Sequence, residues 1–214
     1  MMDRFEQERR LHALGLRRLA GVDEAGRGAL AGPVVAAAVI LPEEWILQGM
    51  PSELRGLNDS KQLTPLQREH YFNLLMESQA VMKAVEAVDA DTVDRLNILN
   101  ATELAMQRAV AKLQPPPHHI LVDGRPVRTL GPRQTALIKG DALSYSIAAA
   151  SVLAKVTRDR LMRDFDQQYP NYGFAIHKGY GTALHLEAIS KFGPSPLHRR
   201  SFAPMNSAHQ PELF

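Results

Sequence analysis

The chain predicts an α/β fold, a mixed sheet with helices packed on it. Two observations carry this expectation. Short β-prone runs lie early, at Leu19–Val22, Val34–Leu41 and Val81–Val88. Longer stretches with helical periodicity alternate with them and then follow them into a C-terminal helical region, the order expected when helices cover a sheet. At 214 residues the chain can bury a real core without staples.

Taken in order, residues 3–16 read as a short amphipathic helix or a loose arm, and 1–17 as an appendage to the main domain at 18–204. Leu19–Val22 reads as a strand ending at Asp23. Val34–Leu41 reads as a buried strand closed by Pro42, and the glycine-rich link between the two runs predicts an antiparallel pair. A loop then leads to Thr64, a good helix cap, with Pro65 at the first helical position and Gln67 three residues after the cap, so a helix is expected to about Ser78. The valines of Val81–Val88 favour a strand.

Asp89 or Asp91 can cap the next helix. Its longer part is expected at Asn97–Leu113, with Leu99, Met106, Val110 and Leu113 facing the core. Pro115-Pro116-Pro117 stops it. His118–Gly124 reads as a strand ending in an acid and a glycine, and Thr135–Asp141 repeats the pattern. Ala142 to Gln168 is helical in composition, with room for one break. Thr182 caps a last helix to Lys191, and the polar stretch from Ser195 is expected to pack poorly, ending in a flexible tail at 205–214.

The sequence has no cysteine, which excludes disulfides and thiolate metal sites. Net charge is only +2, but Lys, Arg and His concentrate between Lys155 and Arg200, a weak pointer to a polyanion. The N-terminus is charged, without a secretory pattern, and the longest apolar run is too short to span a bilayer. The expectation is a soluble, cytoplasmic protein without a membrane partner.

Three predicted strands end in acids: Asp23 with Glu24, Asp123, and Asp141. Carboxylates gathered at one sheet edge repel and raise one another's pKa unless a cation sits among them, and all-oxygen donors suit Mg²⁺ or Mn²⁺. Gly26, Gly28 and Gly32 come close to a dinucleotide fingerprint. That motif must open a helix, however, and here a β-prone run follows. The glycines instead let backbone approach a ligand. Asn58-Asp59-Ser60-Lys61 offers small donors and a cation before a helix, a candidate phosphate site. Tyr180 stands on a glycine-flanked loop and could stack on a sugar or base. His118 and His119 are expected in solvent, and His177, His185 and His198 lack ligand-like spacing.

These pieces, with Ala149–Asp159 and His177–Thr182, form an ordered set running from about residue 18 to 204 that resembles ribonuclease HII, the type 2 ribonuclease H family. The resemblance implies a ribonuclease H-like fold with a five-stranded mixed sheet flanked by helices. It implies hydrolysis of the RNA strand in RNA–DNA hybrids and incision at single ribonucleotides in duplex DNA, using two divalent ions, Mg²⁺ or Mn²⁺. By motif it places the catalytic, metal-holding acids on Asp23, Glu24, Asp123 and Asp141. It places the 2′-hydroxyl sensor on Gly26, Arg27 and Gly28, the phosphate-holding group on Asn58, Ser60 and Lys61, and a junction-sensing tyrosine on Tyr180. A monomer is expected. The related type 3 enzymes, which usually carry an extra N-terminal domain, are the nearest alternative, and a hybrid-binding module without catalysis is another. The terminal Gln210-Pro211-Glu212-Leu213-Phe214 looks like the short peptide by which bacterial proteins dock on the sliding clamp, with Gln210, Leu213 and Phe214 as anchors.

Overall fold

Strands β1 (Leu19–Ala25) and β2 (Val34–Ile40) pair antiparallel, with Ala20 opposite Ile40 and Ala25 opposite Val35. In this computed structural model, which describes residues 3–205, β3 (Met82–Val88) extends the sheet antiparallel beyond β2. On the other side β4 (His119–Asp123) and β5 (Gln134–Leu137) add in parallel, giving the order β3-β2-β1-β4-β5. The helices are α1 (Glu6–Ala13), α2 (Glu43–Gln48), α3 (Pro65–Glu77), α4 (Ala90–Leu96), α5 (Ile98–Ala111), α6 (Gly140–Leu143), α7 (Tyr145–Gln168), α8 (Phe174–His177) and α9 (Ala183–Phe192).

Side chains alternate between the two faces of a strand. Ala20, Val22, Ala36 and Ala38 pack with Ala101, Ala105, Met106 and Ala109 of α5. Leu19, Ala25, Val35 and Ala37 pack with Ala148–Ala150, Val152 and Leu153 of α7. With both faces covered, β2 is buried along its whole length, which is why it reads as an unbroken apolar run. Gly21 lets α7 lie close against β1. A Cβ there would stand 2.1 Å from the Ser146 carbonyl carbon.

The predicted start of α3 is observed as a complete capping box: the Gln67 amide donates to Thr64 Oγ1, and the Gln67 side chain accepts from the Thr64 amide. The break in the long helix falls at Ser144, whose Oγ accepts from the Ile147 amide and caps α7.

Several expectations change. β1 does not end at Asp23; it continues to Ala25, paired with β2. Asp141 is not at a strand end but in α6. Leu99 is 56% exposed, because the buried face of α5 is made by its alanines with Thr102 and Met106. His118 and His119 are half-buried: His118 Nδ1 accepts from the Arg17 amide, and His119 pairs with Thr135. Between residues 195 and 205 the chain is anchored, with Ser195, His198, Arg199 and Met205 buried. Helices α2 and α8 were not anticipated. Among the described residues no helix is long and apolar enough to cross a membrane. Gln210, Leu213 and Phe214 lie outside the described residues.

Candidate active site

Register brings the first two acids together. β1 and β4 run parallel with Val22 opposite Val122, so Asp23 and Asp123 follow side by side. Val22 and Val122 face α5, and alternation turns both aspartates toward α7. The third acid arrives by a turn. Lys139 adopts a left-handed conformation (φ 58°) at the start of α6, and the Gly140 amide donates to Asp123 Oδ1 at 2.7 Å. One carboxylate oxygen from each of Asp23, Asp123 and Asp141 then lies within 4.8 Å of the others.

Glu24 is not in this trio. As the next residue along β1 it starts from the opposite face to Asp23, yet it lines the same cleft. Its carboxylate accepts from Arg27 Nη1 at 3.2 Å.

The trio is electrostatically unfavourable as it stands. Burial, then the charges of Glu24 and Asp123, push the Asp23 carboxyl well above its ordinary pKa. Burial, then Asp123 and Asp59, push Asp141 up to about 6. Burial also raises Glu24, against the pull of Arg27. Partial burial works against the charge of Lys61, yet Asp23, Asp59, Asp141 and Asp123 together outweigh it and raise its pKa. Three converging, partly desolvated carboxylates with only oxygen donors fit a hard divalent cation, which would cancel their mutual repulsion.

Asp23 opens into a cleft of about 470 Å³ that collects much of what the sequence singled out. Gly26, Arg27 and Gly28 line one part, Ser60 and Lys61 another, and Tyr180 a third. Asn58 does not line it. Its side chain is spent in its own turn, donating to Gln62 and accepting from the Asp59 amide.

Sequence reasoning missed the α7 contribution. Ser151 and Lys155 line the cleft, and Ser151 Oγ donates to Ser60 Oγ at 2.7 Å. With Arg158 they fall at i, i+4 and i+7, a polar stripe along one face of the helix. That stripe was the available signal.

Two fully buried arginines stand behind the cleft. Arg199 Nε and Nη2 donate to Gly32 O at 3.1 and 2.9 Å, and Nη1 donates to Arg27 O at 3.0 Å. Arg158 donates to the carbonyls of Pro33, Ala31 and Lys178. Gly26 (φ 96°) is required twice over, by its left-handed backbone and because a Cβ would lie 2.0 Å from Arg158 Nε.

Beneath the Tyr180 loop, three buried histidine rings form a neutral chain. His185 Nδ1 donates to Tyr180 O at 3.0 Å, so its Nε2 accepts from His198 Nε2, also at 3.0 Å. His198 Nδ1 in turn accepts from the Ser195 amide. The His177 ring stacks on His185 at 4.1 Å and donates to Tyr172 O. Burial and the neighbouring imidazoles lower both His185 and His198 to about 4.

Residues 20–205 match the family Ribonuclease HII. The chain is 57% identical to the ribonuclease HII of Geobacillus kaustophilus over 92% of its own length and 73% of that protein's. It is 53% identical to that of Synechococcus sp. over 93% and 87%. Among solved structures it resembles the ribonuclease H2 of Pyrococcus horikoshii with a TM-score of 0.73 and 30% identity, over 89% of this chain and 96% of that one. On these grounds the chain belongs to the ribonuclease HII family of endonucleases.

Proposed function

We propose that this endoribonuclease hydrolyses the RNA strand of RNA–DNA hybrids and incises duplex DNA 5′ of single embedded ribonucleotides. The observation that carries this reading is one cleft holding Asp23 beside Gly26-Arg27-Gly28 and Tyr180. Discrimination and chemistry then act on the same nucleotide.

Asp23, Asp123 and Asp141, with Glu24 beside them, would hold two divalent ions, Mg²⁺ or Mn²⁺. Such ions, when bound, neutralise phosphate charge and acidify water. The overall step is hydrolysis. A water oxygen bonds to phosphorus, the bond to the 3′ oxygen breaks, and the water's protons are shared between the 3′-hydroxyl product and solvent, leaving a 5′-phosphate.

The remaining residues position the substrate. Ser60 and Lys61 present a hydroxyl and a cation to the phosphate, backed by Ser151. Asn58, spent in its own turn, is the weakest member of the expected phosphate group. The Gly26–Gly28 backbone reads the 2′-hydroxyl, the group that separates RNA from DNA. Tyr180 packs on the deoxyribose that follows, where a second hydroxyl would crowd it. The tail residues Gln210, Leu213 and Phe214 would add a sliding-clamp contact; truncating the last five residues should abolish clamp retention, and unchanged retention rejects that contact.

The test is cleavage of a DNA duplex carrying one ribonucleotide, with Mg²⁺ and with Mn²⁺, read at nucleotide resolution. A single incision 5′ of the ribonucleotide with 5′-phosphate and 3′-hydroxyl ends is expected. Cleavage of long hybrids alone would contradict the reading.

A further inference from the structure

Two loops read the substrate in the reading above, Gly26–Pro33 and Lys178–Gly181. They touch directly, the Leu30 and Ala31 amides donating to Gly179 O at 2.8 and 3.3 Å, and both are tied to one side chain. Arg158 is fully buried on α7. Its Nε donates to Pro33 O at 2.9 Å and its Nη2 to Ala31 O at 3.1 Å, both on the first loop. Its Nη1 donates to Lys178 O at 2.9 Å on the second, and its guanidinium carbon lies 5.3 Å from the centre of the Tyr180 ring. The space vacated by the absent Cβ of Gly26 is filled by Arg158 Nε and Cδ.

This is an expensive way to fill a core. A buried cation usually carries a carboxylate partner. Among the described residues no carboxylate lies within ion-pair distance of Arg158, and the adjacent Asp159 is taken by Lys155 at 2.7 Å. The charge is satisfied by three backbone carbonyls from two loops, a geometry only a planar fork of donors can serve. Lysine has one nitrogen and cannot span them. The anchor is rigid, because α7 is buried against the centre of the sheet from Ser146 to Val156, apart from the half-buried Lys155.

We propose that Arg158 is a positioning residue that fixes the 2′-hydroxyl-reading loop and Tyr180 at a set separation. It thereby sets the preference for a ribonucleotide followed by a deoxyribonucleotide. The inference rests on the proposed function. A long hybrid offers a 2′-hydroxyl at every position and tolerates a shift between the loops; a single embedded ribonucleotide offers one and does not.

The test measures kcat/KM of the full chain on a single-ribonucleotide duplex and on a long hybrid. The wild type is scored first. Absence of incision at the single ribonucleotide overturns the functional reading and this inference with it. Where the wild type incises, Arg158→Lys is expected to stay within a few-fold on the long hybrid and to lose about ten-fold or more on the single ribonucleotide. That extra loss should vanish in a Tyr180→Ala background, because the two act as one unit. Equal losses on both substrates, or a loss that adds undiminished to Tyr180→Ala, would reduce Arg158 to a structural part and overturn the inference. If the lysine variant does not melt cooperatively, Arg158→Gln is scored in the same way, since it sheds the buried charge but keeps an N–H donor.

Discussion

The two sides of the cleft are built on opposite terms. The acidic side, Asp23, Asp123 and Asp141, is crowded with like charge, and burial with that crowding holds the Asp23 and Asp141 carboxyls above their ordinary pKa values. The basic side, Arg158, Arg199 and the histidine chain, is just as buried, yet its donors and acceptors find backbone or ring partners. One side stores repulsion that a cation would relieve, at a cost to the fold. The other spends charged and polar groups to fix loops and relieves nothing by binding. Burial of ionisable groups alone therefore does not mark chemistry. Like charges gathered beside a cleft do.

The largest expected difference lies in activity. Asp23→Asn or Asp141→Asn should reduce hybrid cleavage by about a thousand-fold or more while hybrid binding persists. Near-wild-type cleavage in either would break the acidic half of the comparison. On the basic side the large effect should be on stability. Gly26→Ala combines a left-handed backbone with a contact 2.0 Å from Arg158 Nε, and should cost about 3 kcal/mol or more in denaturant unfolding. Gly28→Ala, with nothing within 4 Å of the added carbon, should stay within about 0.5 kcal/mol.

Acidification should pull the two sides in opposite directions. The folded chain holds His185 and His198 near 4 against an ordinary 6.5, so the unfolded chain takes up protons first and stability falls as pH drops from about 6.5 to about 4. Asp141 sits near 6 against 3.8, so the folded chain takes up its proton first and stability rises as pH drops from about 6 to about 4. Each group is worth up to about 1.4 kcal/mol per pH unit within its window. Metal-free Asp141→Asn should therefore lose more stability than wild type between pH 7 and pH 5. Parallel pH profiles would contradict this assignment. A small stability effect is expected for Arg27→Ala. Its side chain is 52% exposed while that of its partner Glu24 is only 14% exposed, so unfolding should change by no more than about 1 kcal/mol. Cleavage of a single embedded ribonucleotide should nonetheless fall more than cleavage of a long hybrid.

The acidic side was the more legible in sequence, and for a local reason. Asp23 and Asp123 follow apolar runs, and strand register carries such residues to one edge. The capping box at Thr64 and the cap at Thr182 were legible for the same reason. What sequence placed wrongly depended on partners far along the chain. Asp141 reaches the trio through a left-handed turn at Lys139 that a non-glycine residue does not advertise. Leu99 looked like core because it is large, whereas α5 meets the sheet through Ala101, Ala105 and Ala109. The stretch after Ser195 looked like a loose tail because its composition is polar. Its beginning packs because Arg199 reaches carbonyls more than 160 residues earlier, at Gly32 and Arg27, and because the Leu30–Gly32 backbone pairs with Leu197–Arg199.

The acidic side reads as a strained cation site and the basic side as a finished scaffold. The most direct test is the melting midpoint of wild type and Asp23→Asn, each in chelator and then in excess Mn²⁺. Removing one buried like charge should leave metal-free Asp23→Asn at least as stable as metal-free wild type, and Mn²⁺ should raise the wild-type midpoint while moving that of Asp23→Asn little. A metal-free Asp23→Asn that melts well below wild type, or that gains as much from Mn²⁺, would contradict the account.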